Sequence, residues 1–164
     1  MDDAKIVFIG EAPGENEDRE GKPFVGRSGQ YLKKMLRETG GRPEWCYITN
    51  TIKCRPPDNR TPEDQESQAC WFWLDRQLRI IDPRIIVCVG RTAALKILPI
   101  KKTTPMRTLI GKWHTSTIVG KPIATRVIYH PSYLLQHGRA EEQTTRDDLG
   151  EIWKTASEFV MEEL

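Results

Sequence analysis

Apolar residues in this chain fall into four short runs: Lys5–Gly10 (KIVFIG), Trp45–Thr49 (WCYIT), Arg84–Val89 (RIIVCV) and Ala124–Tyr129 (ATRVIY). β-Branched and aromatic residues dominate them, as in strands buried on both faces of a parallel sheet. The stretches between have helical period. Gln30–Thr39 sets Tyr31, Leu32, Met35 and Leu36 on one face, with Ser28 placed to cap the helix and Gly40-Gly41 to end it. Thr61-Pro62-Glu63-Asp64 reads as a helix start: a capping hydroxyl, proline at the first position and acids in the first turn, the helix running to about Ile81. A short helix is expected over Thr92–Leu98. A final one over Glu141–Leu164 turns Leu149, Ile152, Trp153, Ala156 and Val160 inward. Pro99–Gly120 is irregular, with at most a hairpin strand around Trp113–Val119. This alternation predicts one α/β domain over residues 1–164, a three-layer α/β/α sandwich on a central four-stranded, mostly parallel sheet.

Gly10–Gly29 (GEAPGENEDREGKPFVGRSG) breaks the pattern. It holds five glycines, two prolines, five acids and one phenylalanine, too polar for core and too long for a plain turn. A glycine-punctuated loop after a strand is where an open α/β sheet builds a ligand site. Glu11 follows the first strand, Asn50 the second and His130 the fourth, so the three are expected to converge on one crevice. Lys53–Arg60 (KCRPPDNR) carries two prolines, which forbid helix and central strand alike. Trp71, Phe72 and Trp73 are consecutive on a helix and cannot all face inward, so one is expected to pack under that proline-rich loop.

Composition adds little until the chain is divided. With 164 residues and 38% apolar content there is enough chain for a substantial core, and no run approaches a membrane span. The start, Met1-Asp2-Asp3, is acidic where a secretion signal needs a basic segment, so a cytoplasmic protein is expected. In that compartment Cys46, Cys54, Cys70 and Cys88, without paired spacing, do not form a disulfide framework. The net charge is +2, yet Pro83–Ala140 contains ten cations and no Asp or Glu. That asymmetry predicts a basic face for a polyanion.

A carboxylate, an amide, an imidazole and a loop aromatic around one pocket suit a flat heterocycle. An Asn side chain offers an acceptor and a donor together, matching the N3–H and O4 edge of uracil. Phe24 can supply a stacking face, partly exposed between proline and glycine in a polar loop. His130 can donate to a carbonyl oxygen that turns negative as a glycosidic bond breaks. Glu11 can orient a water or offset charge on a sugar becoming an oxocarbenium ion.

Five motifs in order, GEAPG (Gly10–Gly14), GKPFVGRSG (Gly21–Gly29), ITN (Ile48–Asn50), KCRPPDNR and HPSYLL (His130–Leu135), resemble the uracil-DNA glycosylase superfamily, most closely its family 4. The resemblance spans roughly residues 5 to 160 and implies excision of uracil from DNA. It places Glu11 near the attacking water and His130 at uracil O2 as the catalytic pair. Phe24 would stack on the flipped base and Asn50 read its edge, with Ala12 and Gly14 of the first motif against the base. Glu17 would lie near C5 and help exclude thymine, since Gly14 stands where family 1 enzymes carry a tyrosine. Leu134 would be the wedge that fills the gap in the duplex. Ser132 and the cations Arg55, Arg60 and Arg139, with Lys102 and Arg107, would contact DNA.

The resemblance departs at one place. Family 4 enzymes have cysteines matching Cys54 and Cys70 as two of four [4Fe–4S] ligands, the others coming from a C-x-x-C ahead of the first strand. Met1–Ala4 hold no cysteine, Cys88 lies in a predicted core strand, and Cys46 opens another. No cofactor is therefore expected, and no histidine lies near enough in sequence to complete a zinc site. Uracil-containing DNA is the expected partner and a monomer the expected state. The alternatives are excision of another damaged or modified base, or a catalytically silent DNA-binding domain of a replication or phage assembly.

Overall fold

The computed structural model describes residues 5–162; Met1–Ala4, on which the acidic-start and missing-cysteine readings rest, lie outside them. Five strands form one sheet: β1 (Ile6–Gly10), β2 (Cys46–Asn50), β3 (Ile85–Val89), β4 (Trp113–Ser116) and β5 (Ile123–Ile128), in the order β2-β1-β3-β5-β4. β2, β1, β3 and β5 are parallel, and β4 runs antiparallel along β5. The helices are α1 (Glu15–Glu20), α2 (Arg27–Glu38), α3 (Asp64–Ile81), α4 (Arg91–Ile97), α5 (Pro131–His137) and α6 (Arg139–Glu162).

Side chains of a strand alternate between faces, and here both faces are covered. Ile6, Phe8, Ile85 and Val87 pack with Leu32 and Met35 of α2 and Leu149 and Ile152 of α6. Val7, Ile9, Ile86 and Cys88 pack with Leu74 and Leu78 of α3 and Ala94 and Ile97 of α4. That double burial is why the central strands read as unbroken apolar runs.

The sheet has five strands where four were expected. β4 (WHTS) is an edge strand and lacks an apolar run; its hold on the fold is partly polar, through the buried Ser116 hydroxyl, which donates to the Ile97 carbonyl at 2.8 Å. Two helix starts also move. α2 begins at Arg27 with Gly26 as its cap, so Ser28 is already inside the helix. α3 begins at Asp64 and is capped by Glu63, whose backbone N–H donates to Glu66 Oε2 at 2.8 Å, leaving Thr61 and Pro62 outside. Phe72 and Trp73 are exposed and meet edge to face, while half-buried Trp71 receives the Lys96 ammonium at 4.9 Å. The order β2-β1-β3 places β1 between strands leading off in opposite directions, the arrangement that opens a crevice beyond the carboxyl ends of parallel strands.

Candidate active site

The crevice starts at Gly10, the last residue of β1, paired in register with Asn50. A Cβ on Gly10 would come within 2.5 Å of both Asn50 Oδ1 and Phe24 Cζ, so only glycine lets the amide and the ring close over the strand end. Asn50 is 6% exposed. Its strand end is tied to β1 by Thr51 N–H donating to the Gly10 carbonyl (2.9 Å) and Ile52 N–H to the Glu11 carbonyl (3.1 Å). Lys53 secures the same corner: its ammonium donates to Thr49 Oγ1 (2.8 Å), the Asn50 carbonyl (2.8 Å) and Gln77 Oε1 (2.7 Å). Burial pulls the Lys53 pKa down to about 8. In sequence Lys53 was only the start of a proline-rich loop, and nothing local marked it as the anchor of Asn50.

Phe24 sits in left-handed backbone, φ 53°, a conformation that costs a residue with a bulky side chain and needs outside support. Glu17 supplies that support from α1. Its carboxylate accepts from the N–H groups of Val25 (2.9 Å), Gly26 (2.7 Å) and Gly14 (3.1 Å). Burial pushes the Glu17 carboxyl up, but the N–H groups of Gly26, Val25 and Gly14 outweigh it and hold the group below the usual carboxylate range. A Cβ on Gly14 would lie 2.8 Å from Glu17 Oε2, so the carboxylate fills the space a side chain at position 14 would take. Glu17→Ala is expected to lower the melting temperature by about 4–8 °C, from roughly 2 kcal/mol of lost charge-assisted hydrogen bonding. Thermal unfolding checks this; an unchanged midpoint would remove Glu17 as the support of the Phe24 turn.

Glu11, just past the end of β1, and His130, two residues past β5, line the same cavity. The Glu11 carbonyl accepts from Thr51 Oγ1 at 2.6 Å, and its carboxylate accepts a hydrogen bond from the Thr92 hydroxyl at the start of α4. His130 caps α5: the Ser132 N–H donates to His130 Nδ1 at 3.1 Å. An Nδ1 that accepts from a backbone N–H has its lone pair committed, so the neutral ring carries its proton on Nε2. Burial lowers the His130 pKa, with the nearby Glu11 charge opposing. Glu11, Ala12, Gly14, Glu17, Phe24 and Asn50 line one cavity of about 460 Å³ together with His130, Ser132 and Arg60.

A family model described as the uracil DNA glycosylase superfamily matches residues 1–156. The chain belongs to the uracil-DNA glycosylase superfamily. It is 43% identical over 154 residues to the type-4 uracil-DNA glycosylase of Archaeoglobus fulgidus, covering 91% of this chain and 77% of that protein. It is 45% identical over 141 residues to the type-4 enzyme of Thermotoga maritima, covering 82% and 68%. It is also 30% identical over 145 residues to the DNA polymerase of Bacillus phage SP01, covering 88% of this chain and 15% of the polymerase.

Several expected residues of this glycosylase fold stand elsewhere than anticipated. Leu134 is 4% exposed and packs in the core, because α5 turns it inward; Tyr133 and Leu135 beside it are 38% and 36% exposed. Phe24 is 7% exposed, so its ring forms part of the cavity wall rather than being presented on a loop. Arg60 is committed to Glu66 through two bonds of 2.9 and 2.8 Å, and Arg55 to Asn59 Oδ1 at 2.7 Å. Arg139 is exposed at the start of α6.

Part of the basic stretch is engaged by partners within the chain. Arg126 pairs with Asp148 in the core, Lys102 with Asp64 and Lys121 with Asp82, while Arg91 donates to backbone carbonyls. The acids absent from the stretch come from α3, its C-cap and α6.

The iron-sulfur question is one of donors. Cys54 is exposed and Cys70 half-buried; Cys88 is buried in β3. Among the described residues no group of three or more His, Cys, Asp or Glu side chains could hold a metal. Among the described residues, Cys54 and Cys70 match two of the four protein ligands such a cluster takes. Among the described residues, no helix is long and apolar enough to cross a membrane.

Proposed function

We propose that this chain hydrolyses the N-glycosidic bond of 2′-deoxyuridine in DNA, releasing uracil and leaving an abasic site. The observation that carries this is the meeting of Asn50, Phe24, Glu11 and His130 on one cavity from separate chain segments. A flipped uracil stacks on Phe24. The Asn50 amide donates to O4 and accepts from N3–H, a pairing cytosine cannot match. As the bond to C1′ breaks, its electron pair moves onto the base, and His130 Nε2–H donates to O2, where the charge collects. Glu11 stabilises the positive sugar and orients the water whose oxygen bonds to C1′, the proton that this water gives up balancing the one taken up by the departing uracil anion. Glu17, standing where a side chain at position 14 would be, crowds the C5 position and excludes the thymine methyl.

Leu135, rather than Leu134, presents the apolar surface that replaces the base in the stack. The enzyme acts as a cytoplasmic monomer without an iron-sulfur cluster, the Cys54–Cys70 segment being held by packing. Purified protein is expected to be colourless; a brown solution absorbing in the visible would overturn that reading.

Alkaline strand scission of a uracil-containing oligonucleotide after incubation is the direct test, with cleavage at uracil expected and none at thymine or cytosine. The likeness to a phage DNA polymerase favours a second reading, a silent DNA-recognising module, which binding without scission would support. Asn50→Asp removes the N–H₂ donor to O4 and places a negative charge against it. It is expected to lower kcat/KM for uracil by at least about 10²-fold, since a buried polar mismatch is among the most discriminating contacts. Unchanged base preference across an oligonucleotide panel would remove Asn50 as the reader.

A further inference from the structure

A second cavity, of about 560 Å³, opens beside the first and shares Glu11, His130 and Ser132 with it. Its size is within the roughly 300–1,000 Å³ of small-molecule sites. Besides the shared residues, Met106 and Arg107 of the segment after α4 and Tyr129 and Tyr133 of the segment after β5 line it. Arg107 is exposed and makes no hydrogen bond or ion pair among the described residues, unlike Arg91, Lys102, Lys121 and Arg126 of the same basic stretch.

Both walls are built in advance. The Arg91 guanidinium donates to the Thr104 carbonyl at 2.7 Å and to the Lys102 carbonyl, pinning the loop that carries Met106 and Arg107. Of the other lining residues, Tyr129 and Tyr133 continue with His137 into a column of near-parallel rings, with centroids 5.2 and 4.0 Å apart and interplanar angles of 16° and 11°. His137 Nδ1–H donates to the Tyr133 carbonyl at 2.9 Å and fixes the outer rung. Arg91 and Thr92 are consecutive in α4, so the helix that holds one wall also holds the Glu11 carboxylate.

We propose that this cavity is the subsite for the nucleotide adjoining the flipped deoxyuridine, its phosphate at Arg107 and its base between Met106 and the edges of the tyrosine column. The inference rests on the glycosylase reading. With uracil in the first cavity and its sugar at Glu11, the strand must leave past the shared residues, and the second cavity is the space they open into. An unpaired guanidinium beside a thioether and aromatic wall matches an anion joined to a flat apolar face. A free phosphate would not use the apolar wall, and an apolar ligand would not use Arg107.

The test is a set of double-mutant cycles between protein and DNA. Wild type, Arg107→Gln and Met106→Ala are assayed on uracil oligonucleotides altered on one side of the deoxyuridine at a time. The neighbouring phosphate becomes an uncharged methylphosphonate, or the neighbouring base an abasic tetrahydrofuran. On one side each change is expected to cost wild type about tenfold in kcat/KM. Arg107→Gln should lose about tenfold on unmodified DNA and nothing further from the methylphosphonate, and Met106→Ala should be likewise insensitive to the missing base. Losses that multiply on both sides would overturn the subsite. The same cycles are read by fluorescence anisotropy on DNA carrying an abasic site in place of deoxyuridine. Binding then tests the subsite even if scission shows no uracil release, an outcome that would instead overturn the glycosylase reading.

Discussion

Glu11→Gln is expected to slow uracil release by about 10²–10⁴-fold while leaving DNA affinity at low salt within a few-fold of wild type. The substitution changes charge and little else. The backbone at Glu11 is fixed by Thr51 and Ile52, whose bonds to its carbonyl do not involve the side chain. The Thr92 hydroxyl that donates to the carboxylate can donate equally to a glutamine carbonyl. What disappears is the negative charge facing the sugar as it becomes an oxocarbenium ion, together with the acceptor strength that orients water. Thr92→Val keeps the charge and loses its tether, so a smaller loss, about tenfold, is expected from misplacement alone. Single-turnover scission gives the rate and anisotropy the affinity. A parallel fall in both for Glu11→Gln would mean the residue shapes the loop rather than acting in the reaction.

How far the sequence discloses this site depends on which contacts are local. The parallel strands are legible because double burial makes each of them apolar throughout, and the positions of Glu11, Asn50 and His130 follow from strand ends alone. β4 is legible only as the hairpin strand expected around Trp113–Val119, since WHTS has no apolar run to tie it to the central sheet, and α1 is not legible: ENEDRE has no apolar stripe, α1 being capped instead by the reach of Glu17 back to Gly14. Lys53 and Thr92 escape for another reason. Lys53 reaches back to Thr49 and Asn50 but is fixed there by Gln77 of α3, and Thr92 acts on Glu11 some eighty positions away; no spacing rule encodes such meetings. Leu134 illustrates the reverse. A motif aligns residues in sequence, but which side of a seven-residue helix faces the core is set by α5 lying against α2 and α6, and that packing turns Leu134 inward and Leu135 outward. The basic stretch is less free than it reads, because charge along a chain says nothing of partners across it: Asp64, Asp82 and Asp148 lie outside the stretch and pair with three of its ten cations.

His130→Ala is expected to cost about 10²–10³-fold in the rate of excision, the loss associated with removing one donor to a developing oxyanion. The pH dependence separates this role from a purely structural one. Burial lowers the His130 pKa against the opposing pull of Glu11, so the imidazole is neutral at pH 7 and donates through Nε2. Adding a second proton would place it on Nδ1, where the Ser132 N–H already points, and would break the cap of α5. Excision is therefore expected to hold level from neutral into mildly alkaline pH and to fall on the acid side, below the ordinary imidazole value of about 6.5. Stability follows the same sign. Below that value the unfolded chain takes up a proton that the folded chain refuses, so this contribution to stability is lost as pH falls and regained as it rises. His130→Gln removes the titration but keeps an N–H donor, and should flatten the acid limb of both profiles while retaining more activity than His130→Ala. An acid limb unchanged in His130→Gln would assign the titration to another group, and equal activity in the two variants would mean that the side chain at position 130 donates nothing to the leaving base.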